Sequence, residues 1–166
     1  MSINLNSINN IPHTENTFPK LLLKHANDRA SHPAFRQKRL GIWQTLSWQQ
    51  TKEMTENLSL GLSGLGLKRG DKTAIIGQNT TMMYLSMLAL QSLGGVIVPI
   101  FPDASAEEFQ SLLAHAEIKA VICQDQEQID KMESVKKNIK SLEFLIFEQP
   151  RGMRDYKQNY IHSIDE

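Results

Sequence analysis

The chain has 166 residues, the size of one domain, and its 18 Lys and Arg balance 18 Asp and Glu, which makes the formal net charge zero. A balanced charge predicts no field of one sign that would gather nucleic acid or anionic lipid. The single cysteine, Cys123, excludes an internal disulfide and favours a reducing compartment. No stretch approaches the ~20 consecutive apolar residues of a membrane span.

The first residues form a polar segment. Met1–Asn10 is rich in Asn and Ser and has neither the basic start nor the apolar centre of a signal peptide. We therefore predict that residues 1–16 are a disordered N-terminal tail.

A helix and a hairpin follow the tail. From Thr17, apolar residues recur at helical spacing, which predicts a helix that ends near Pro33. Residues 34–38 and 42–46 favour strand structure on either side of Gly41, and they predict a short β-hairpin with its turn at that glycine.

The next predicted helix begins at a capping box. Ser47 is placed to be the N-cap, and Gln50 follows three residues later. Gly66 is placed to end the helix. An approximate apolar stripe along it predicts its buried face, and consists of Trp48, Met54, Leu58, Leu62 and Leu65.

Beyond this helix the chain alternates between strands and helices. Strands are predicted at 72–77, 96–101, 119–124 and 143–148, and helices at 80–93, 105–117 and 126–139. Successive strands start about two dozen residues apart, which leaves room for crossover helices between parallel neighbours. The strand centres at 74–76, 96–98 and 120–122 are apolar without alternation, which predicts burial on both faces.

The predicted fold class is therefore α/β, with a mostly parallel sheet flanked by helices and preceded by a helix and a short β-hairpin. Ligands of such sheets bind at the carboxyl ends of the strands. Gly77–Thr81 follows the first of these strands with one glycine where a dinucleotide fingerprint needs three, and capping by Asn79 or Thr80 explains it. Gly61–Gly66 has the glycine spacing of a P-loop but lacks its Lys and Ser or Thr, which favours close packing and helix termination.

Other candidate groups have structural interpretations. Asp103 and Asp125 follow strands, where a phospho-acceptor aspartate would lie, but each precedes a helix start, which favours capping. Cys123 lies in an apolar strand and is expected to be buried and inert. The histidines, including His13, lack the spacing of a zinc site. Residues 82–88 are apolar almost all round the helix, and either pack between sheet and neighbour or line a pocket for a lipid chain.

Several segments follow one another in a recognisable order. They are Thr17–Lys20, Gly41–Gln44, Leu65–Lys72, Leu93–Pro99 and Glu127–Lys131, with Pro150–Arg154 in agreement. In this order they resemble the N-terminal region of bacterial AMP-forming long-chain acyl-CoA synthetases, members of the adenylate-forming superfamily. The resemblance extends from Thr17 to the end of the chain. It implies that residues 17–166 are the truncated N-terminal part of an AMP-binding synthetase/ligase domain.

The resemblance implies a two-step reaction for the parent family. ATP and a fatty acid give an acyl-adenylate and pyrophosphate, and coenzyme A then takes the acyl group. The family uses ATP, Mg²⁺ and coenzyme A, but its phosphate-binding loop and catalytic residues have no counterpart up to Glu166. We therefore assign no catalytic, cofactor-binding or metal-binding residue to this chain and expect it to be inactive alone.

The resemblance also implies a partner and a location. The expected partner is the remainder of the ligase, either in cis or as a separate chain, and the substrate of the parent is a fatty acid. The expected location is cytoplasmic, with contact at most peripheral at the inner membrane face.

Two hypotheses remain open at this point. In the first hypothesis the chain is the N-terminal piece of such a synthetase, from a truncated, split or mis-bounded reading frame. Ser163 and the acidic residues after it agree with this hypothesis, because they are typical of the start of a helix. Alternatively it is a free-standing α/β binding or regulatory module that pairs with a separate catalytic chain, since its four predicted strands could bury their own core.

Overall fold

The computed structural model describes residue 12 and residues 15–165. Most of the predicted tail, including His13, lies outside the described residues, and so does Glu166. The tail and the domain boundary at Thr17 therefore stay predictions. Within the described part, Glu15 pairs with Lys24 of the first helix, with 2.6 Å between Oε1 and Nζ.

The N-terminal helix and hairpin form as predicted. Helix α1 spans Phe18–Asp28, and Thr17 caps it by accepting a hydrogen bond from the Lys20 N–H at 3.4 Å. Strands β1, Pro33–Arg39, and β2, Ile42–Ser47, pair antiparallel around a two-residue turn.

Helix α2 spans Trp48–Gly64, and its predicted capping box is confirmed. The Gln50 N–H donates to Ser47 Oγ, and the Gln50 side chain accepts from the Ser47 N–H. This reciprocal pair satisfies two of the donors that a helix start leaves without partners.

The predicted buried face of α2 is wrong in part. Besides Leu62, the buried side chains are Thr51, Thr55 and Ser59, whereas Met54 is exposed. Each hydroxyl donates to the carbonyl one turn earlier, and Ser59 Oγ also lies 3.2 Å from the Ala89 carbonyl oxygen. Because these side chains are small and their hydroxyls have hydrogen-bond partners, they can pack against a neighbouring helix with little desolvation cost.

The main sheet has five parallel strands in the order β4-β3-β5-β6-β7, which confirms the predicted fold class. The strands are β3 Lys72–Ile76, β4 Val96–Ile100, β5 Ala120–Cys123, β6 Phe144–Phe147 and β7 Ile161–Ser163. The connecting helices are α3 Thr81–Ser92, α4 Ala106–Ala116 and α5 Gln126–Val135. Among the described residues, no helix is both long enough and apolar enough to span a bilayer.

The sheet separates two apolar cores. On one face, Val121 and Cys123 of β5 pack in a cluster with residues of α4 and α5 such as Phe109 and Met132. On the other, Ile122 packs in a cluster with α2 and α3 through residues such as Leu90. Successive strand residues therefore enter different cores, which explains why β3 and β5 are apolar without alternation.

The prediction of two-sided burial is wrong for the strand that begins at Val96. Strand β4 lies at one edge of the sheet, and Val96 is 47% exposed. The run of apolar residues in β4 therefore indicates a strand of a parallel sheet, but it does not indicate that the strand is fully buried.

The prediction of a helix start at Ser163 is also wrong. Ile161–Ser163 forms β7, which pairs in parallel with β6 and places His162 opposite Ile146. The strand has only three residues, too few to show a period, and its pairing depends on a partner that is distant in sequence.

Two glycines near the end of α2 provide a test of the helix boundary. An added Cβ meets no atom within 4 Å at Gly61, inside the helix, or at Gly66, beyond it, but Gly66 has a φ of +96°. We expect Gly61→Ala to raise the free energy of unfolding by about 1 kcal/mol, because alanine restricts the unfolded chain. Gly66→Ala should lower it by about 1 kcal/mol, because a side chain is strained at that φ. Urea unfolding measures both, and shifts in the same direction would contradict the assigned boundary.

Candidate ligand site at the carboxyl edge of the sheet

Polar groups from the loops after three strands meet at the carboxyl edge of the sheet. Gln78 follows β3, Gln124 follows β5, and Glu148 follows β6. The Gln124 Oε1 atom accepts a hydrogen bond from the Gln78 N–H at 2.6 Å. The Thr80 hydroxyl donates to Glu148 Oε2 at 3.1 Å. These bonds link the loops that follow separate strands into one polar layer.

The loop between β3 and α3 requires its glycine for packing. A Cβ added at Gly77 would lie 2.7 Å from the Gln124 Cβ atom, closer than two carbon atoms can approach. The glycine therefore admits the Gln124 side chain, whose amide oxygen then satisfies the loop N–H.

The start of α3 has its donors occupied by side chains of this chain. Gln37 Oε1, from β1, accepts from the Thr81 N–H at 2.9 Å. Thr80 Oγ1 accepts from the Met83 N–H at 3.1 Å, which confirms the predicted capping by Thr80. With the Gln78 N–H also taken, these amides are not available as a cradle for phosphate.

Glu148 is the ionisable group of this layer. Its side chain is half-buried, and burial raises the pKa of the Glu148 carboxyl, while the Thr80 hydrogen bond and then the Arg39 charge oppose the shift. A carboxyl group in such a place can keep its proton at a higher pH than an exposed one. It could accept or donate a hydrogen bond to a polar ligand group at this edge.

A cleft of about 450 Å³ adjoins the polar layer between α2, α3 and the end of β7. This volume is within the range of small-molecule sites, roughly 300–1,000 Å³. Its walls combine apolar residues with a few polar ones near β7. The apolar lining includes Met54, Leu58, Leu65, Met82, Leu85 and Ile164, and the polar lining includes Asn57, His162, Ser163 and Asp165.

Met82 lies where the polar layer and the cleft meet, since it also borders the small pocket beside Gln124 and Glu148. Met83 borders the same small pocket, and Met83 and Met87 pack against the core of the α2–α3 face. Packing is thus confirmed for Met83 and Met87, whereas Met82 borders a cleft, and a lipid chain as its occupant stays a prediction. Flexible thioethers such as that of Met82 suit a wall that must fit ligands of variable shape.

The remaining sequence candidates have structural roles. Asp125 caps α5 by accepting from the Gln128 N–H at 3.3 Å. For α4 the N-cap is Ser105, in a capping box with Glu108, and not Asp103. Cys123 is fully buried, which confirms its predicted burial, and this burial raises the pKa of its thiol.

The described residues include no group of three His, Cys, Asp or Glu side chains placed to hold a metal ion. The self-bonded start of α3 likewise does not fit the phosphates of a nucleotide. The polar layer thus contributes a half-buried carboxyl, and the cleft beside it contributes a largely apolar wall.

Sequence reasoning missed two residues of the site. Glu148 directly follows a predicted strand, so inspection of the fourth strand end by the same rule would have found it. His162 could not be found in this way, because β7 itself was not predicted.

Comparison with solved structures shows the fold. Coronafacic acid ligase from Pectobacterium brasiliense superposes with a TM-score of 0.77 at 21% identity, over 89% of this chain and 28% of that ligase. Acetoacetyl-CoA synthetase from Streptomyces lividans gives a TM-score of 0.74 at 17% identity, over 89% and 24%. These superpositions show that the chain shares the fold of such ligases over this part of their length.

Comparison of sequences shows the family. Residues 22–160 match the family described as AMP-binding enzyme, and the chain belongs to that family. A long-chain-fatty-acid–CoA ligase of Mus musculus is 30% identical over 131 residues, which are 74% of this chain and 20% of the ligase. The chain thus spans about a fifth of the length of such curated relatives. An uncharacterized protein of Mycobacterium tuberculosis is 27% identical over 89 residues, which are half of its own length.

The raised pKa of Glu148 generates a pH prediction. Between the ordinary pKa of 4.5 and the higher native pKa, the folded state binds more protons than the unfolded state, so stability falls as pH rises through that window. Glu148→Gln removes this cost and can still accept from the Thr80 hydroxyl. We expect it to raise the melting temperature at neutral pH and to leave it nearly unchanged well below pH 4.5.

Thermal unfolding across pH measures this difference. Glu53→Gln, at an exposed position of α2, is the matched control and should show no such pH dependence. The change in melting temperature caused by Glu148→Gln should be more positive at neutral pH than at acid pH. A more negative change at neutral pH would contradict the assigned burial effect.

Proposed function

We propose that the chain is the N-terminal scaffold of an ATP-dependent long-chain fatty-acid–CoA ligase. Such an enzyme converts a fatty acid, ATP and coenzyme A to acyl-CoA, AMP and pyrophosphate. The observation that carries the proposal is the family match over residues 22–160 together with the ordered motifs. The long-chain substrate is supported by the name of the mouse relative, a long-chain-fatty-acid–CoA ligase.

In this proposal the chain does not catalyse adenylation alone. Adenylyl transfer requires fixed hydrogen-bond donors and a metal ion that stabilise the charge of the transition state. The donors at the start of α3 are occupied by Gln37, Thr80 and Gln124. The remainder of the ligase, in cis or as a separate chain, supplies ATP, Mg²⁺ and coenzyme A binding.

The remainder of the ligase covers the surfaces that this chain leaves partly apolar. Edge strand β4 exposes Val96, and Phe101 immediately after it is 86% exposed. The strands of parallel sheets are normally buried on both faces, so this edge is where a covering layer fits best.

The proposed location is the cytoplasm, which agrees with a single cysteine that is buried and free. Residues 17–166 form the proposed domain part, and the bacterial subgroup remains a prediction from the motif order.

The scaffold proposal predicts no adenylation by the purified 166-residue protein. We expect fatty-acid-dependent exchange of labelled pyrophosphate into ATP to stay at background, because the amides at the start of α3 are occupied and the described residues hold no metal-ligand cluster. Addition of a chain that carries the remaining part of a family ligase should restore exchange. Exchange by the 166-residue protein alone, lost on heat denaturation, would contradict the proposal.

A second candidate function is a free-standing α/β binding or regulatory module that pairs with a separate catalytic chain. Two apolar clusters already cover both faces of β5, which favours independent folding. The relative from Mycobacterium tuberculosis is itself only about twice the length of its matched 89 residues.

The two candidates differ in solution behaviour. A module is expected to be a monodisperse monomer that melts cooperatively. A scaffold that lacks its covering layer is expected to aggregate, or to co-purify tightly with the rest of the ligase. Light scattering and calorimetry of the purified chain separate these outcomes.

A further inference from the structure

The β1–β2 hairpin ends in an exposed apolar tip, defined here as residues 38–43. Leu40 is 95% exposed, Ile42 69% and Trp43 64%. Single exposed apolar residues are common on protein surfaces, but here three within four positions lie at one end of the hairpin. Leu40 is in the turn, and Ile42 and Trp43 lie on opposite faces just beside it.

The turn at this tip contains a leucine in an unfavourable conformation. Leu40 has a φ of +50° and Gly41 a φ of +82°. Two-residue hairpin turns with both φ values positive favour Asn-Gly or Asp-Gly, because other side chains are strained there. Since the Leu40 side chain is almost fully exposed, it gains no packing in return. This leucine therefore costs stability without contributing to the core.

Two basic residues share a face of the hairpin with Trp43. Strand register places Lys38 opposite Trp43 and Arg36 opposite Thr45, so these side chains lie on one face. The other face is turned to the body of the protein. There Phe35 packs 5.9 Å from the Tyr84 ring, between centroids, and Gln37 accepts from α3.

The hairpin also concentrates positive charge. Residues 33–47 contain Arg36, Lys38 and Arg39 and no Asp or Glu. The salt bridges of the described residues involve none of these three cations. The zero net charge of the whole chain predicted no attraction to anionic lipid. That net charge is a sum over all residues, however, and the hairpin alone carries an excess of positive charge.

We propose that the hairpin tip docks on an anionic lipid surface. Leu40 and Ile42 enter the boundary of the acyl chains, where aliphatic side chains gain most. Trp43 lies at the headgroup level, and Arg36 and Lys38 bind lipid phosphates. A nucleic acid would bind the cations but would leave both aliphatic side chains in water. The proposal does not rest on ligase activity, because docking requires no catalysis.

Vesicle sedimentation of the 166-residue protein tests the proposal. We expect binding to vesicles of phosphatidylglycerol and phosphatidylcholine in equal parts, weaker binding to phosphatidylcholine alone, and further weakening by added salt. Failure of the folded protein to sediment with the anionic vesicles would overturn the proposal, and so would tighter binding to a single-stranded oligonucleotide.

Leu40→Asn separates docking from folding. Asparagine suits a positive φ, so the melting temperature should stay the same or rise. Vesicle affinity should nevertheless fall by about fivefold or more, because the apolar end is lost. Leu60→Gln, at an exposed leucine of α2, is the matched control and should bind like the unchanged protein.

Lys38→Gln tests the charge contribution in the same assay. One Lys near an anionic surface contributes a factor of about five in affinity. Lys140→Gln, at an exposed position in the loop before β6, is the matched control and should have no effect. Unchanged binding by both Leu40→Asn and Lys38→Gln would overturn the assignment of the hairpin tip, even if the protein binds vesicles.

Discussion

The structure depends on one constraint, the burial of strand β5 on both faces. All four residues of Ala120–Cys123 are buried, and strands β3 and β6 pair with β5 in parallel on either side. Parallel pairing requires crossover connections, and these place α3 on one face and α4 and α5 on the other. Helix α2 completes the first layer. The hydroxyl-rich face of α2 packs against α3, where Ser59 Oγ lies 3.2 Å from the Ala89 carbonyl oxygen, and its hydroxyls otherwise bond to carbonyls of their own helix.

The amino and carboxyl ends of the parallel strands carry different polar groups. At the amino edge, Lys119 Nζ donates to the Gly66 carbonyl oxygen at 2.9 Å and to Asp71 Oδ2 at 2.8 Å. This hydrogen bond to Lys119 is the main cause of the lowered pKa of the Asp71 carboxyl. One lysine therefore joins the end of α2 to the starts of β3 and β5. The carboxyl edge instead carries Glu148, which borders a small pocket beside Gln124, on the side where α/β sheets bind ligands.

The sequence predicted most of the fold because the relevant signals are local. Capping at Ser47, helical spacing after Thr17 and apolar strand centres each need only a few neighbouring residues. The order of strands is not local, and the edge position of β4 followed from it. The buried face of α2 was predicted wrongly because apolar residues alone were used to find it. Thr51 and Thr55 count as polar, although a hydroxyl that bonds to a carbonyl of its own helix can be buried.

The candidate site was predictable to a smaller extent for the same reason. The rule that ligands bind beyond strand ends leads to Glu148, because it follows a predicted strand. It does not lead to the cleft, whose walls bring α2 next to β7 across about a hundred residues of chain, with Leu58 and Ile164 on opposite sides. Burial of Glu148, which sets its pKa, likewise depends on elements that are distant in sequence.

The free edges of the sheet are protected against pairing with further strands. The Val96 N–H donates to the Asp71 carbonyl at 2.8 Å, towards β3. Backbone N–H groups alternate in direction along a strand, so the backbone nitrogens of Ile97, Pro99 and Phe101 face away from β3. Proline has no N–H to donate, and Pro99 interrupts the outward row of donors at its middle. Strand addition at β4 is therefore disfavoured, and its exposed side chains are better covered by packing over the faces.

At the opposite edge of the sheet, local hydrogen bonds occupy backbone N–H groups that face outward. In β7 the outward Ile161 N–H donates to the Gln158 carbonyl at 3.1 Å, and just beyond the strand the Asp165 N–H donates to Ser163 Oγ at 3.3 Å. Few donors are left for an incoming strand. A partner chain is thus expected to contact this protein through side chains and not by extending its sheet. That requirement is compatible both with a scaffold inside a larger ligase and with a module that stays monomeric until its partner binds.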